Sequence, residues 1–201
     1  MWELFKGEAL FDVIGAHYGE VSLLSKIIIA CVCLFAVTAL VMMAVSLASL
    51  IATGAPFIAT PMSLTRKIVS LAGIQSGDVV YDLGCGDGRF LIEANKKYGA
   101  KAIGIEISPI VYGLAKLNVW LKRSDVRIHC ANFKNFDFLD ADVIFCYLVP
   151  DQMATLGKRF MQLKKRSRVL SRRFEIPGWE PLQHVLIKKR FGSESIFIYT
   201  I

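Results

Sequence analysis

The sequence predicts an α/β protein: a mostly parallel seven-stranded sheet with helices on both faces, preceded by one transmembrane helix. Three observations carry that expectation. From residue 62 onward, short apolar runs alternate with amphipathic segments, the pattern of strands joined by crossover helices. One apolar run, 79–83, meets three glycines at alternate positions, Gly84, Gly86 and Gly88, before a helical pattern starts. And from Ile27 to Ala52 there is no charged residue.

In chain order, residues 1–26 come first. They place Trp2, Phe5, Ala9 and Val13 at helical spacing, with Leu10 and Ile14 beside them. This amphipathic flank either lies along a membrane surface or packs on the domain. Residues 27–53 form the membrane helix. Its charge-free stretch would rise about 39 Å as a helix, against a hydrocarbon core of about 30 Å. A cleaved signal peptide has an apolar region of only about 7–15 residues, nearer the start; a buried core helix is the remaining competitor. Lysine and arginine nearly tie across the two flanks, Lys6 and Lys26 against Arg66 and Lys67, so charge does not orient the helix.

Gly54, Pro56 and Pro61 punctuate the chain before a domain over 54–201. Residues 62–73 read as a short helix with Leu64, Ile68 and Leu71 on one side. Strands are expected at 79–83, 101–105, 126–130, 141–148 and 168–174, with helices at 89–98, 109–123 and 150–163 between them. Ser108 caps the second of these helices, and Pro109 fits its first turn. Residues 185–191 and 195–201 close the chain as an edge hairpin.

The glycine loop carries the chemistry. Val-Val-Tyr-Asp-Leu-Gly-Cys-Gly-Asp-Gly-Arg-Phe, 79–90, is a buried strand feeding a tight turn that opens a helix. A phosphate loop would end in Gly-Lys-Ser/Thr, and a dinucleotide loop would space its glycines G-x-G-x-x-G. Neither pattern is present. An acid before the first glycine, Asp82, sits badly beside a pyrophosphate and suits a ligand with an amino group. The next strand ends in Glu106, about 20 residues on, the offset at which a carboxylate meets both hydroxyls of a ribose.

Asp-Leu-Gly-Cys-Gly-Asp-Gly resembles motif I of the class I S-adenosylmethionine-dependent methyltransferases, which have a Rossmann-like fold. Pro-Phe-Ile-Ala-Thr-Pro (56–61), Tyr-Leu-Val-Pro (147–150) and Ser-Arg-Arg-Phe-Glu-Ile-Pro-Gly-Trp-Glu-Pro (171–181) are similar to a narrower family. These are membrane-anchored protein-lysine methyltransferases whose mitochondrial members modify the adenine nucleotide translocator and the ATP synthase c-subunit. The likeness covers roughly residues 55–185.

The resemblance implies S-adenosyl-L-methionine as cofactor. Gly84, Cys85, Gly86 and Gly88 would contact its methionine and ribose portions, Asp82 its ammonium and Glu106 its ribose diol. Asn132 would meet the adenine amino group with Phe133 against the ring, or Asn132 is a turn residue. Thr60 closes over the cofactor, or it is a helix N-cap. Lysine as acceptor must first lose a proton, which at pH 7.4 costs about 4 kcal/mol for a pKa near 10.4, and a dry channel supplies part of that. Tyr147, Leu148, Val149 and Pro150 sit where that channel would be. Tyr147 orients the amine or simply packs; Asp151 takes its proton through water or caps the next helix. Trp179 walls the entrance or packs under its loop. No Asn/Asp-Pro-Pro-Tyr/Phe motif follows the fourth strand, which counts against a methyltransferase of adenine or glutamine.

Five cysteines, Cys31, Cys33, Cys85, Cys130 and Cys146, include no C-x-x-C pair, and the three histidines are scattered, so neither a disulfide framework nor a metal is expected. The net charge is +7; residues 1–26 carry −2 of it and the remainder +9. The basic excess clusters at 158–173 and 188–190. A solvated face, anionic lipid and nucleic acid all compete to explain it, and lipid ranks above nucleic acid because an anchor is an odd feature for an RNA enzyme. The expected partners are thus the membrane bilayer and a membrane-associated protein substrate, with no nucleic acid and the catalytic domain in the cytoplasm, where the cofactor is made. Two rivals stand: an enzyme for a lipid-phase acceptor such as a quinone or phospholipid head group, and a cofactor-binding module without transfer activity.

Overall fold

The computed structural model describes residues 23–53, 57–189 and 192–201. The expected amphipathic flank lies outside these residues except for its last four. The chain divides into two compact units, Met1–Ala44 and Val45–Ile201.

Helix α1 spans Leu23–Thr53, starting four residues before the charge-free run. Its only charged residue is Lys26. Most helices of soluble proteins hide an apolar stripe. This one turns large apolar groups outward all round, among them Ile28, Leu34, Phe35 and Val41. The segment Leu23–Val45 would span about 34 Å at 1.5 Å per residue, enough for a bilayer core of about 30 Å.

The second unit is the α/β domain. Helix α2 (Met62–Leu71) leads into β1 (Val79–Leu83), α3 (Arg89–Tyr98), β2 (Lys101–Glu106), α4 (Pro109–Leu121) and β3 (Arg127–Cys130). A 3-10 turn at Phe133–Asn135 precedes β4 (Val143–Cys146), α5 (Pro150–Phe160), β5 (Arg168–Arg172) and the hairpin β6 (Gln183–Lys188) and β7 (Ser193–Thr200). The seven strands run in the order β3-β2-β1-β4-β5-β7-β6. The first five are parallel; β7 is antiparallel to both β5 and β6.

Period-two alternation explains why helices cover both faces. Val80, Val143, Phe145, Ile196 and Ile198 join one core with Ile68, Phe90, Leu91 and Ala115 from α2, α3 and α4. Their neighbours Tyr81, Ile144, Cys146, Phe197 and Tyr199 join a second core with Met153, Leu156 and Phe160 of α5. Leu64 and Ile68 of α2 are buried as expected, together with Val69, while Leu71 is half-buried.

Both β4 and β5 end sooner than the sequence suggests. β4 keeps only the middle of 141–148, and Tyr147, half-buried, lies just past its end. β5 stops at Arg172, because Arg173 adopts φ +74°, a left-handed conformation that no strand accommodates.

The chain runs outward from β1 through β2 to β3 and then returns to the other side of β1 for β4. That reversal opens a crevice at the carboxyl ends of β1 and β4, where open α/β sheets bind their ligands.

Candidate active site

The crevice holds a cavity of about 320 Å³, within the roughly 300–1,000 Å³ usual for small-molecule and cofactor sites. Asp82, Gly84–Gly86 and Glu106 form one side. Tyr147, Leu148 and Val149 form another, with Phe174 and Arg173 beyond β5 and Phe57–Thr60 from the segment before α2.

The glycine loop is built for close approach. Gly84, Gly86 and Gly88 all have positive φ. A Cβ on Gly86 would fall 2.6 Å from a ring carbon of Phe57, so only glycine lets the loop and the 57–60 segment lie against each other. The Gly86 N–H donates to one oxygen of Glu106 at 3.1 Å, and the Ser108 N–H donates to the other at 2.9 Å. Glu106, 7% exposed, is thereby fixed in place. Burial pushes its carboxyl above the usual range against the pull of these N–H groups.

Asp82 is 3% exposed, lines the cavity and receives no hydrogen bond from any described residue. Burial, reinforced by the neighbouring Glu106 and Asp87 carboxylates, holds its carboxyl well above the ordinary value. An acid buried among acids is costly unless a cation joins it. A ligand with an ammonium group and a diol therefore fits both acids, and S-adenosyl-L-methionine has both.

The opposite wall is held by charges that the sequence reading passed over. Arg172, 4% exposed, donates to the Thr60 hydroxyl at 2.6 Å and to Glu194 of β7 at 2.6 Å, and its guanidinium lies 4.2 Å from the centroid of the Tyr147 ring. Its Nε is buried without a hydrogen bond. Lys189 also pairs with Glu194; burial works to raise that carboxyl, but the two cations outweigh it and hold it low. Arg89 binds the Thr60 carbonyl and clasps Asp87 through Nε at 2.8 and 2.9 Å. Arg173 donates to the Tyr147 hydroxyl at 3.4 Å. A charge inside a central strand, Arg172, was the available signal, since such a group is buried only when paired.

Of the residues singled out from sequence, the fold brings Thr60, Asp82, Gly84, Cys85, Gly86, Glu106, Phe133 and Tyr147 to this cavity. Three lie off it. Gly88 is the N-cap of α3 and faces Ile128, Ala115 and Val119, so it packs helix against sheet. Asn132 is exposed, and its side chain accepts from the Lys134 N–H at 2.9 Å, forming the 3-10 turn. Asp151 is exposed in the first turn of α5, whose N-cap is Val149. Trp179 is also off the cavity, edge-on to Tyr199 at 6.0 Å.

The sheet order, the acid-flanked glycine loop and the paired carboxylates define a class I S-adenosylmethionine-dependent methyltransferase. Comparison with known proteins agrees. The sequence pattern of the ANTKMT methyltransferase domain matches residues 82–183. A protein-lysine N-methyltransferase of Saccharolobus islandicus is 32% identical over 150 residues, 73% of this chain and 93% of that protein. The mouse adenine nucleotide translocase lysine N-methyltransferase is 27% identical over 149 residues, and the match spans 63% of its length. In structure, an RNA methyltransferase from Salinibacter ruber, crystallised with S-adenosyl-L-homocysteine, superposes with a TM-score of 0.66 at 30% identity. The match covers 72% of this chain and 94% of that one. This chain belongs to the ANTKMT methyltransferase family, and S-adenosyl-L-methionine is its cofactor.

Proposed function

We propose that this enzyme is a membrane-tethered protein-lysine N-methyltransferase acting on a membrane-associated protein from the cytoplasmic side. The observation that carries the lysine assignment is the 32% identity with a protein-lysine methyltransferase across 93% of that relative. Helix α1 supports the tether, and it would confine the active site to a membrane-associated acceptor.

The cofactor supplies an activated methyl group on a sulfonium, so the protein's work is mostly positioning. Asp82 takes the ammonium and Glu106 the ribose diol. Gly84, Cys85 and Gly86 let backbone approach the methionine and ribose, and Phe133, which lines the cavity, would meet the adenine ring. Thr60, held by Arg172 and Arg89, closes the cavity from the segment before α2. Tyr147 faces the acceptor. Its ring is fixed under Arg172 and its hydroxyl by Arg173, so it can orient an incoming amine along the methyl-transfer line. Two guanidinium groups beside Tyr147 also disfavour an ammonium there, which selects the neutral amine that carries the attacking lone pair. Asp151, exposed on α5, lies away from the cavity, and a proton leaving the amine passes to water.

The test is mass spectrometry of membrane proteins from cells with and without this chain. Lysines heavier by one to three methyl groups, present only with the chain, support the reading. Methylation confined to lipid or RNA contradicts it. RNA is the second reading, favoured by the Salinibacter structure and by the net charge of +7.

A further inference from the structure

Helix α4 shows water an apolar face that the methyltransferase fold does not need. Its core side is narrow: Val111, Ala115 and Val119, at i, i+4 and i+8, are buried against the sheet. On the far side Ile110, Leu114, Leu117 and Leu121, at i, i+4, i+7 and i+11, form a second stripe, exposed by 51, 42, 51 and 61%. Trp120 extends it at 73% exposed. A surface helix ordinarily carries charge at these positions, and five large apolar groups in one patch mark a contact surface rather than a soluble face.

The residues bordering the stripe indicate its occupant. Lys116, Lys122 and Arg123 flank it, and after Glu106 no acid occurs until Asp125, beyond the helix. Leucine and isoleucine along one side, a tryptophan near the end and a basic excess around them, three cations against Asp125 beside Trp120 and Leu121, match an interfacial helix on anionic lipid. An apolar helix long enough to cross a bilayer stands in the same chain, so lipid would be present at high local concentration.

We propose that the exposed face of α4 lies in the headgroup region of an anionic bilayer, a second membrane contact besides α1. The proposal rests on the tethered reading and deepens it. Because the N-cap of α4, Ser108, stands two residues past Glu106, a docked α4 holds the cofactor site beside the membrane and favours acceptors that emerge from it.

The test uses the full chain with Trp2→Phe and Trp179→Phe, leaving Trp120 as its only tryptophan. It is reconstituted into vesicles of phosphatidylcholine and phosphatidylglycerol whose acyl chains are brominated near the headgroup. Trp120 fluorescence should fall at least twofold relative to unbrominated vesicles. Leu114→Glu with Leu117→Glu should abolish the quenching while leaving cofactor affinity unchanged. Lys116→Gln with Lys122→Gln should weaken it at low salt and less so at high salt, where screening already removes the lysines' contribution. Unquenched Trp120 in a chain that resists carbonate extraction overturns the α4 contact and leaves the tether standing; full release by carbonate overturns the tether, and quenching still decides α4. Unquenched, blue-shifted emission that depends on the protein-to-lipid ratio would assign the face to a second copy. Unquenched, water-like emission would leave it for a protein partner. Either contradicts the proposal.

Discussion

The guanidinium of Arg172 donates to the hydroxyl of Thr60, 112 residues earlier, at 2.6 Å. The same group is paired with Glu194 and lies over the Tyr147 ring. One buried cation thus joins the segment before α2, the Tyr147 wall of the cavity and the antiparallel edge of the sheet. Two sides of the cavity share this support.

Removing that cation should damage both stability and activity. Arg172→Gln leaves Glu194 with Lys189 alone, takes the donor from the Thr60 hydroxyl and leaves Tyr147 held by Arg173 only. Breaking a buried ion pair from one side costs about 3–5 kcal/mol, and retention of Lys189 places the expected loss near the lower figure. Arg172→Lys should recover most of the melting temperature but not kcat, because an ammonium cannot serve Thr60, Glu194 and a ring face at once. Thermal melts and steady-state kinetics of the two variants check the split.

Asp82→Asn should stabilise the cofactor-free protein at pH 7 while weakening cofactor binding. The folded-state carboxyl lies well above its unfolded value of about 3.9. Between the two values the folded state holds more protons than the unfolded one, so stability falls as pH rises through that window and stays lowered above it. Asparagine removes this burden. It also removes the charge that meets the ammonium, a loss of about 10- to 100-fold in affinity. In the wild type, affinity should fall on acidification as Asp82 takes up its proton, starting at a higher pH than an ordinary aspartate would dictate. Calorimetric titrations across pH, with melts of both proteins, test this.

Glu106→Gln should lower cofactor affinity about tenfold or more. Glutamine has one acceptor oxygen where glutamate offers two, so the N–H of Gly86 or of Ser108 loses its partner. The loop loosens and the diol loses an acceptor. Adenosine and 2′-deoxyadenosine analogues should differ in affinity for wild type and converge for the variant.

Gly86→Ala should cost about 1–2 kcal/mol from its φ of +57° alone. The clash with Phe57 comes on top. In the double variant with Phe57→Ala the clash is relieved and the φ cost remains, so the two substitutions should be non-additive in a melting cycle.

Much of this was legible in the sequence, for physical reasons. Parallel strands buried on both faces read as apolar runs, and those runs end at Asp82 and Glu106 because ligand groups collect at carboxyl ends. Ser108 and Pro109 announce α4, and the Ser108 oxygen does accept from the Val111 N–H, at 3.5 Å. The limits appear where tertiary contacts decide. Asn132 and Phe133 are adjacent, yet only Phe133 reaches the cavity, because the Asn132 side chain closes its own 3-10 turn. The Arg172–Glu194 pair depends on the antiparallel register that sets Arg172 opposite Ile196, two residues from Glu194, and linear spacing carries no trace of it. The outer stripe of α4 has helical periodicity, but so does its buried stripe, and only packing against the sheet tells one from the other.

The most direct measurement is transfer of tritium from methyl-labelled S-adenosylmethionine into membranes of cells lacking this chain, using purified wild type beside Asp82→Ala. A labelled protein band is expected with wild type alone, and its hydrolysis should yield methylated lysine. Label recovered only in the lipid fraction would contradict the protein-lysine assignment, and label in neither fraction would leave a domain that binds the cofactor without using it.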